Sequence, residues 1–207
     1  MTLTLYTNPM SRGRISRWML EEIGTSYETV VLGYADTMKA ADYLAINPMG
    51  KVPAIVHDGN VVTEGAAICA YLAEAFPEAG LAPTATERAD YHRWLFFAAG
   101  PVEAAITNRS LGVVPTDQQQ RMAGYGSYDL MVDVLERAVS AHPYIAGDRF
   151  TAADVFVGSQ VIWGMQFGTL PKRDAFADYA ARLVARDAYA RAAAIDDGLI
   201  AAAAAGE

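Results

Sequence analysis

This chain has one cysteine, Cys69, and three histidines in 207 residues. A lone thiol excludes an intrachain disulfide framework and fits a reducing compartment. None of His57, His92 and His142 has a partner at metal-ligand spacing, so no metal is expected. Apolar runs of bilayer-spanning length are missing, as is an amino-terminal basic segment leading into an apolar stretch and a small-residue cleavage site. The expected location is therefore cytoplasmic, with no membrane partner. Positive charge is scarce: 16 Lys and Arg face 24 Asp and Glu, and the net charge of −8 is spread along the chain. That balance disfavours nucleic acid or an anionic surface as a partner. What is present, 53% hydrophobic and 19% charged residues, suits a packed protein with a sizeable core.

Leu3 and Leu5 alternate with Thr2, Thr4 and Tyr6, the period-two pattern of a strand with one buried face, which stops at Asn8-Pro9. From Ser11 or Arg12 to Ile23, with Ile15, Trp18, Met19 and Glu22 at helical spacing and Gly24 as a stop, the pattern predicts a helix. A strand over 27–32 and a helix over 37–44 follow. The order strand-helix-strand-helix-strand-strand-helix predicts an α/β layer with a hairpin at its edge. After Phe76 the composition changes. Residues 77–86 read as a linker rich in proline and glycine, and no convincing strand follows. Helices are expected over 87–108, bent at Gly100-Pro101, over 117–141, over 152–167, and over two shorter stretches, 174–185 and 188–196. Leu130, Val134, Leu135 and Ala138 are expected on the buried face of the second. Thr151 with Asp154 forms an acidic capping box, and Phe150 with Val155 a hydrophobic staple. The tail from Ala201 to Glu207 could extend a helix or fray.

The most informative stretch is Asn47 to Ile68, NPMGKVPAIVHDGNVVTEGAAI. Pro53 heads an apolar run, so it either opens an edge strand or sits behind a cis peptide bond. Either way, Val52 keeps an unpaired N–H and C=O that can receive an extended peptide through main-chain atoms. Asp58-Gly59 between apolar runs predicts a hairpin with strands over 54–57 and 60–63. Thr63-Glu64-Gly65 then opens a helix to about Phe76, placing backbone N–H groups and a positive dipole end beside the Glu64 carboxylate.

This stretch resembles the glutathione-binding half of the cytosolic glutathione S-transferases, whose amino-terminal domain has the thioredoxin fold. GDRFTAADV, the helix start at Thr151, is similar to the helix start of that family's carboxy-terminal domain. The resemblance implies a thioredoxin-like domain over 1–76, a linker over 77–86 and an all-α helical bundle over 87–207, acting as a homodimer with glutathione as co-substrate. It assigns Val52, before a cis Pro53, to the cysteinyl backbone of glutathione, and Glu64 to the γ-glutamyl end. Gly65 replaces the family's usual serine, so only its N–H is left to hold a carboxylate. Lys39 inherits a role toward the glycyl carboxylate, although Met38 stands where plant-type relatives have histidine, and Lys51 could serve the same group.

The chemistry implied is attack of the glutathione thiolate on an electrophile. A thiol with a pKa near 8.5 needs about 1.4 kcal/mol of differential interaction for each unit of lowering. A hydroxyl at a helix start can supply it. Ser11 leads, because NPMSRGR resembles serine-type, phi-like and theta-like transferases, with Tyr6 and Arg12 as alternatives. Ser11 also reads as a simple helix cap, and the two roles are compatible. Met10, Trp94 and Phe97 are candidates for an apolar electrophile pocket. Peroxide reduction, dehalogenation and isomerisation are alternative reactions. A noncatalytic relative, favoured by Gly65 and Met38, is an alternative of another class.

Overall fold

The computed structural model describes residues 2–205, which divide into two compact units. One comprises the chain up to Leu81 together with the segment from Ala185 onward, and the other spans Ala82–Val184.

In the first unit, β1 (Leu3–Thr7), α1 (Gly13–Ile23) and β2 (Glu28–Val31) form a parallel βαβ unit. β3 (Ala54–His57) and β4 (Asn60–Thr63) form the hairpin, and α3 (Gly65–Ala75) follows. The strand order is β2-β1-β3-β4, so the sheet is mixed and thioredoxin-like. β3 is an inner strand. Of the two readings of Pro53, the edge strand therefore fails, and the Val52-Pro53 bond is cis.

Alternation along β1 sends Leu3, Leu5 and Thr7 to one face, where all three are buried. Thr7 lies so close to α1 that a Cβ on Gly13 would fall 1.9 Å from its Oγ1, so only glycine fits there. Tyr6 turns to the opposite face and packs with Val30, Ile46 and Val52 on a buried cluster of Leu32, Met38, Tyr43 and Ala54. The helix expected over 37–44 is two pieces, a 3₁₀ turn at Thr37–Lys39 and α2 (Ala41–Leu44), separated by Ala40 in extended conformation. The Asp36 carboxylate accepts from the Thr37 N–H and starts the turn, while Met38 and Tyr43 enter the core from the two pieces.

The carboxy-terminal helix α10 (Asp187–Ala205) packs on α1 within this unit. The sequence reading placed it in the helical region and ended it at Asp196. It continues through the alanine run to Ala205, with the last two residues of the tail outside the described residues. Charge docks it. Arg17 donates to Asp196 at 2.8 Å, with both side chains only 1% exposed. Arg14 bonds Asp197 at 2.8 Å, and Arg186 forks onto Glu22 at 2.7 Å through two nitrogens. The Trp18 and Tyr189 rings meet edge to face at 5.0 Å. Arg17 is held further by Tyr27 Oη and Thr29 Oγ1. Burial pushes the Asp196 carboxyl above the usual range, against the pull of Arg17.

The second unit is helical: α4 (Arg88–Phe97), α5 (Glu103–Ser110), α6 (Asp117–Gln120), α7 (Tyr128–Ala141), α8 (Ala152–Gln166) and α9 (Asp174–Val184). The bend expected at Gly100-Pro101 is a π-helical turn, Ala98–Val102, between α4 and α5. The single helix expected over 117–141 is two. The chain breaks around Gly124 and Gly126, and Ser127 recaps α7 by accepting from the Leu130 N–H at 3.1 Å. With that restart Met131, Val132, Leu135, Ala138 and Val139 face inward, and Leu130 is 53% exposed. α8 is buried from Ala152 to Val161, and the Thr151–Asp154 capping box is formed. Asp154 is fully buried and accepts from the Ile145 and Thr151 N–H groups, the Thr151 hydroxyl and Tyr179 Oη at 2.7–3.0 Å. Burial raises its pKa, and those four donors oppose the rise. Among the described residues no helix is long and apolar enough to cross a membrane.

Two substitutions test these anchors. Arg17→Met, which leaves Asp196 buried without its partner, is expected to cost roughly 3–5 kcal/mol in urea unfolding, and adding Asp196→Leu should restore most of it. Asp154→Ala strands two buried N–H groups and is expected to cost about 3 kcal/mol or more, read from Trp fluorescence during unfolding.

Candidate functional site

The sheet register gathers the candidate residues. Tyr6 lies opposite Ala54, and Ala54 opposite Thr63. The loop after β1, the cis Val52-Pro53 bond before β3 and the Glu64-Gly65 start of α3 after β4 therefore emerge at one end of the sheet. Val31 pairs with Thr7, so the loop after β2 emerges there too.

The loop before β3 is internally tied up to Lys51. Asn47 Nδ2 and Tyr43 Oη both donate to the Lys51 carbonyl, and Asn47 Oδ1 accepts from the Met49 N–H at 3.1 Å. The Gly50 N–H closes a turn onto the Asn47 carbonyl at 2.8 Å. Lys39 Nζ donates to the Gly50 carbonyl at 2.7 Å and reaches the Met49 carbonyl at 3.4 Å. Gly50 has φ 56°, and a Cβ there would meet Lys39 Nζ at 2.8 Å. Lys39 thus serves as a loop tie, while Met38, buried in the core, is turned away from any ligand. Lys51 is exposed. Val52 comes next, and among the described residues its N–H and C=O make no hydrogen bond within the chain.

Glu64 precedes α3 with φ 65° and ψ 116°, a backbone conformation that costs a non-glycine residue on the order of 1–3 kcal/mol. Its exposed side chain caps nothing. Gly65 opens the helix behind it, leaving first-turn N–H groups without intrahelical partners.

Ser11 stands just before α1. Its Oγ donates to the Asn8 carbonyl at 2.6 Å and accepts from the Gly13 N–H at 2.9 Å. Ser11 thus holds the first N–H of α1, while Arg12 occupies the cap position itself without a side-chain cap bond. Arg12 is exposed at the helix start, and Met10 is 70% exposed with its carbonyl accepting from Tyr34 Oη at 3.2 Å. Tyr6 lies below this surface, its ring 5.6 Å from Tyr43. Trp94 and Phe97 belong to the second unit, where their rings meet edge to face at 5.6 Å. Cys69 is fully buried, and burial pushes its thiol far above the ordinary range. Among the described residues no group of three or more His, Cys, Asp and Glu could hold a metal.

Asn8, Tyr34 and Tyr43 were not singled out from the sequence. Asn8-Pro9 was readable as a turn, and buried asparagine beside proline is a signal for loop-ordering hydrogen bonds. The two tyrosines act through hydroxyls on distant carbonyls, which no local pattern reveals.

Residues 1–74 match the family model described as glutathione S-transferase, N-terminal domain. Glutathione S-transferase GST-4.5 of Xanthomonas campestris is 31% identical over 186 residues, covering 84% of this chain and 90% of that one. A glutathione transferase from Methylococcus capsulatus superposes with a TM-score of 0.77 at 27% identity, covering 95% of this chain and 99% of its own. A theta class glutathione S-transferase from Xanthomonas axonopodis, solved with glutathione bound, gives 0.73 at 28% identity over 93% and 97%. The likeness spans almost all of both partners in each structural pair and reaches past the strands into the helical region, and with it this chain belongs to the glutathione S-transferase family.

Proposed function

We propose that the protein binds glutathione at this end of the sheet and transfers its thiolate to small apolar electrophiles, with Ser11 stabilising the thiolate. The observation that carries the reading is the free main-chain pair of Val52, beside the tied loop and the cis bond to Pro53. An extended peptide can add there as an antiparallel partner. The glutathione-bound relative from Xanthomonas axonopodis supports the choice of peptide.

In this reading Val52 pairs with the cysteinyl backbone. Glu64 and the Gly65 N–H receive the γ-glutamyl end, and Lys39 and Lys51 face the glycyl carboxylate. The Ser11 hydroxyl turns its proton from the Asn8 carbonyl to the sulfur, while the Gly13 N–H continues to donate to Oγ and polarises it. The thiol proton leaves to solvent. The sulfur lone pair then forms a bond to the electrophilic carbon, and the leaving group departs with its bonding pair. The working unit is a homodimer, which sedimentation would register as twice the 22.2 kDa chain mass.

Retention on immobilised glutathione, together with conjugation of a test aryl halide, is the expected result. Absence of both in folded protein would replace the enzyme with a noncatalytic binding protein. Ser11→Ala is expected to lower kcat roughly 10- to 100-fold, with little change in KM for glutathione. An unaltered rate would move the role to Tyr6, Arg12 or the backbone. Glu64→Gly should relieve the backbone and raise unfolding stability by about 1 kcal/mol while weakening glutathione binding, as measured by calorimetry.

A further inference from the structure

We propose that Asn8 is a positioning residue for the reaction, acting through Ser11; the inference rests on the Ser11 reading above. Asn8 is 8% exposed, and its amide and carbonyl bond Leu32, Met10 and Ser11. Its Nδ2 donates to the Leu32 carbonyl at 2.8 Å, fastening the loop to the end of β2, where the Leu32 N–H in turn bonds the Thr7 carbonyl at 2.8 Å. Its Oδ1 accepts from the Met10 N–H at 2.9 Å. Its own carbonyl accepts both the N–H of Ser11 at 3.0 Å and the hydroxyl at 2.6 Å.

These bonds act in series. The side chain fixes Met10, whose carbonyl is held from the other side by Tyr34, and Met10 immediately precedes Ser11. The main chain then holds Ser11 itself. When the hydroxyl proton swings to a ligand sulfur, the Asn8 carbonyl keeps the Ser11 N–H and Oγ keeps the Gly13 N–H. Only one proton changes partner, and no buried group is stranded. A donor whose only movement at the moment of use is one hydroxyl rotation lowers a thiol pKa at small cost. The Asn8 carbonyl therefore sets the resting state that sulfur must outcompete, and the Asn8 amide sets where that competition takes place.

The test is a cycle of Asn8→Ala, Ser11→Ala and the double variant. Each is read by the pH dependence of thiolate ultraviolet absorbance in the glutathione complex and by kcat and KM separately. Asn8→Ala in the otherwise unaltered chain is expected to raise the bound thiol pKa by about one unit and lower kcat about 10-fold, with glutathione KM within about threefold. In the Ser11→Ala background the same change should have almost no effect, because the group it positions is gone. Asn8→Asp keeps the side-chain shape and the acceptor for Met10, and provides a second variant if the alanine form does not fold. Any of its effect that survives in Ser11→Ala is charge and not positioning. Ser11→Ala shifting the thiol pKa while both Asn8 variants leave it unchanged overturns this inference alone, as does an equal Asn8 effect with and without Ser11. Ser11→Ala leaving the pKa of bound thiol unchanged overturns the Ser11 reading and this inference with it.

Discussion

The site depends on one row of residues across the sheet, Val30, Tyr6, Ala54 and Thr63. That register brings one end of each of the four strands to one place, so the loops after β1 and β2, the loop before β3 and the start of α3 share a surface. Because side chains alternate, a one-residue slip of β1 would also exchange the faces of Leu5 and Tyr6. Leu5 belongs to the buried α1 side and Tyr6 to the Tyr43 cluster, so packing on both faces holds the register.

The helix that starts at the site is fixed at its beginning and along its length by different physics. Near its beginning, Gly13 allows backbone approach to Thr7, which no side chain would permit. Along its length, Arg17 is buried against Asp196 of α10. A buried ion pair contributes little net stability over an apolar pair, but it penalises every arrangement that separates its charges. The outer pairs, Arg14 with Asp197 and Arg186 with Glu22, add register more than energy. Arg14 also reaches the Pro9 carbonyl at 3.3 Å, which links this docking to the loop that carries Ser11.

Strain and satisfaction divide the site. The loop from Asn47 to Lys51 and the loop from Asn8 to Ser11 use their polar groups internally, while Glu64 is held in a costly conformation with its carboxylate unused. Among the described residues Val52 likewise keeps its main-chain groups unused. Groups without hydrogen-bond partners among the described residues thus stand beside groups that are fully tied.

Local order was legible in the sequence. Alternation in β1, the Asp58-Gly59 hairpin, the Gly24 stop and the Thr151–Asp154 capping box each involve residues a few positions apart, so short-range chemistry specified them. The helix expected over 37–44 and the one over 117–141 failed for the opposite reason: Ala40 and the Gly124–Gly126 break answer to tertiary packing and recapping, which periodicity does not register. The place of α10 on α1 is held by Arg17 and Asp196, 179 residues apart. The sequence by itself determined the order of the strands and the hairpin, because each is encoded by its immediate neighbours, and it named Ser11, Val52 and Glu64 as candidates. Only the tertiary structure decided that β3, which Pro53 precedes, is an inner strand, that Lys39 ties a loop, and that Asn8 holds Ser11, because those outcomes depend on hydrogen bonds that only folding brings together.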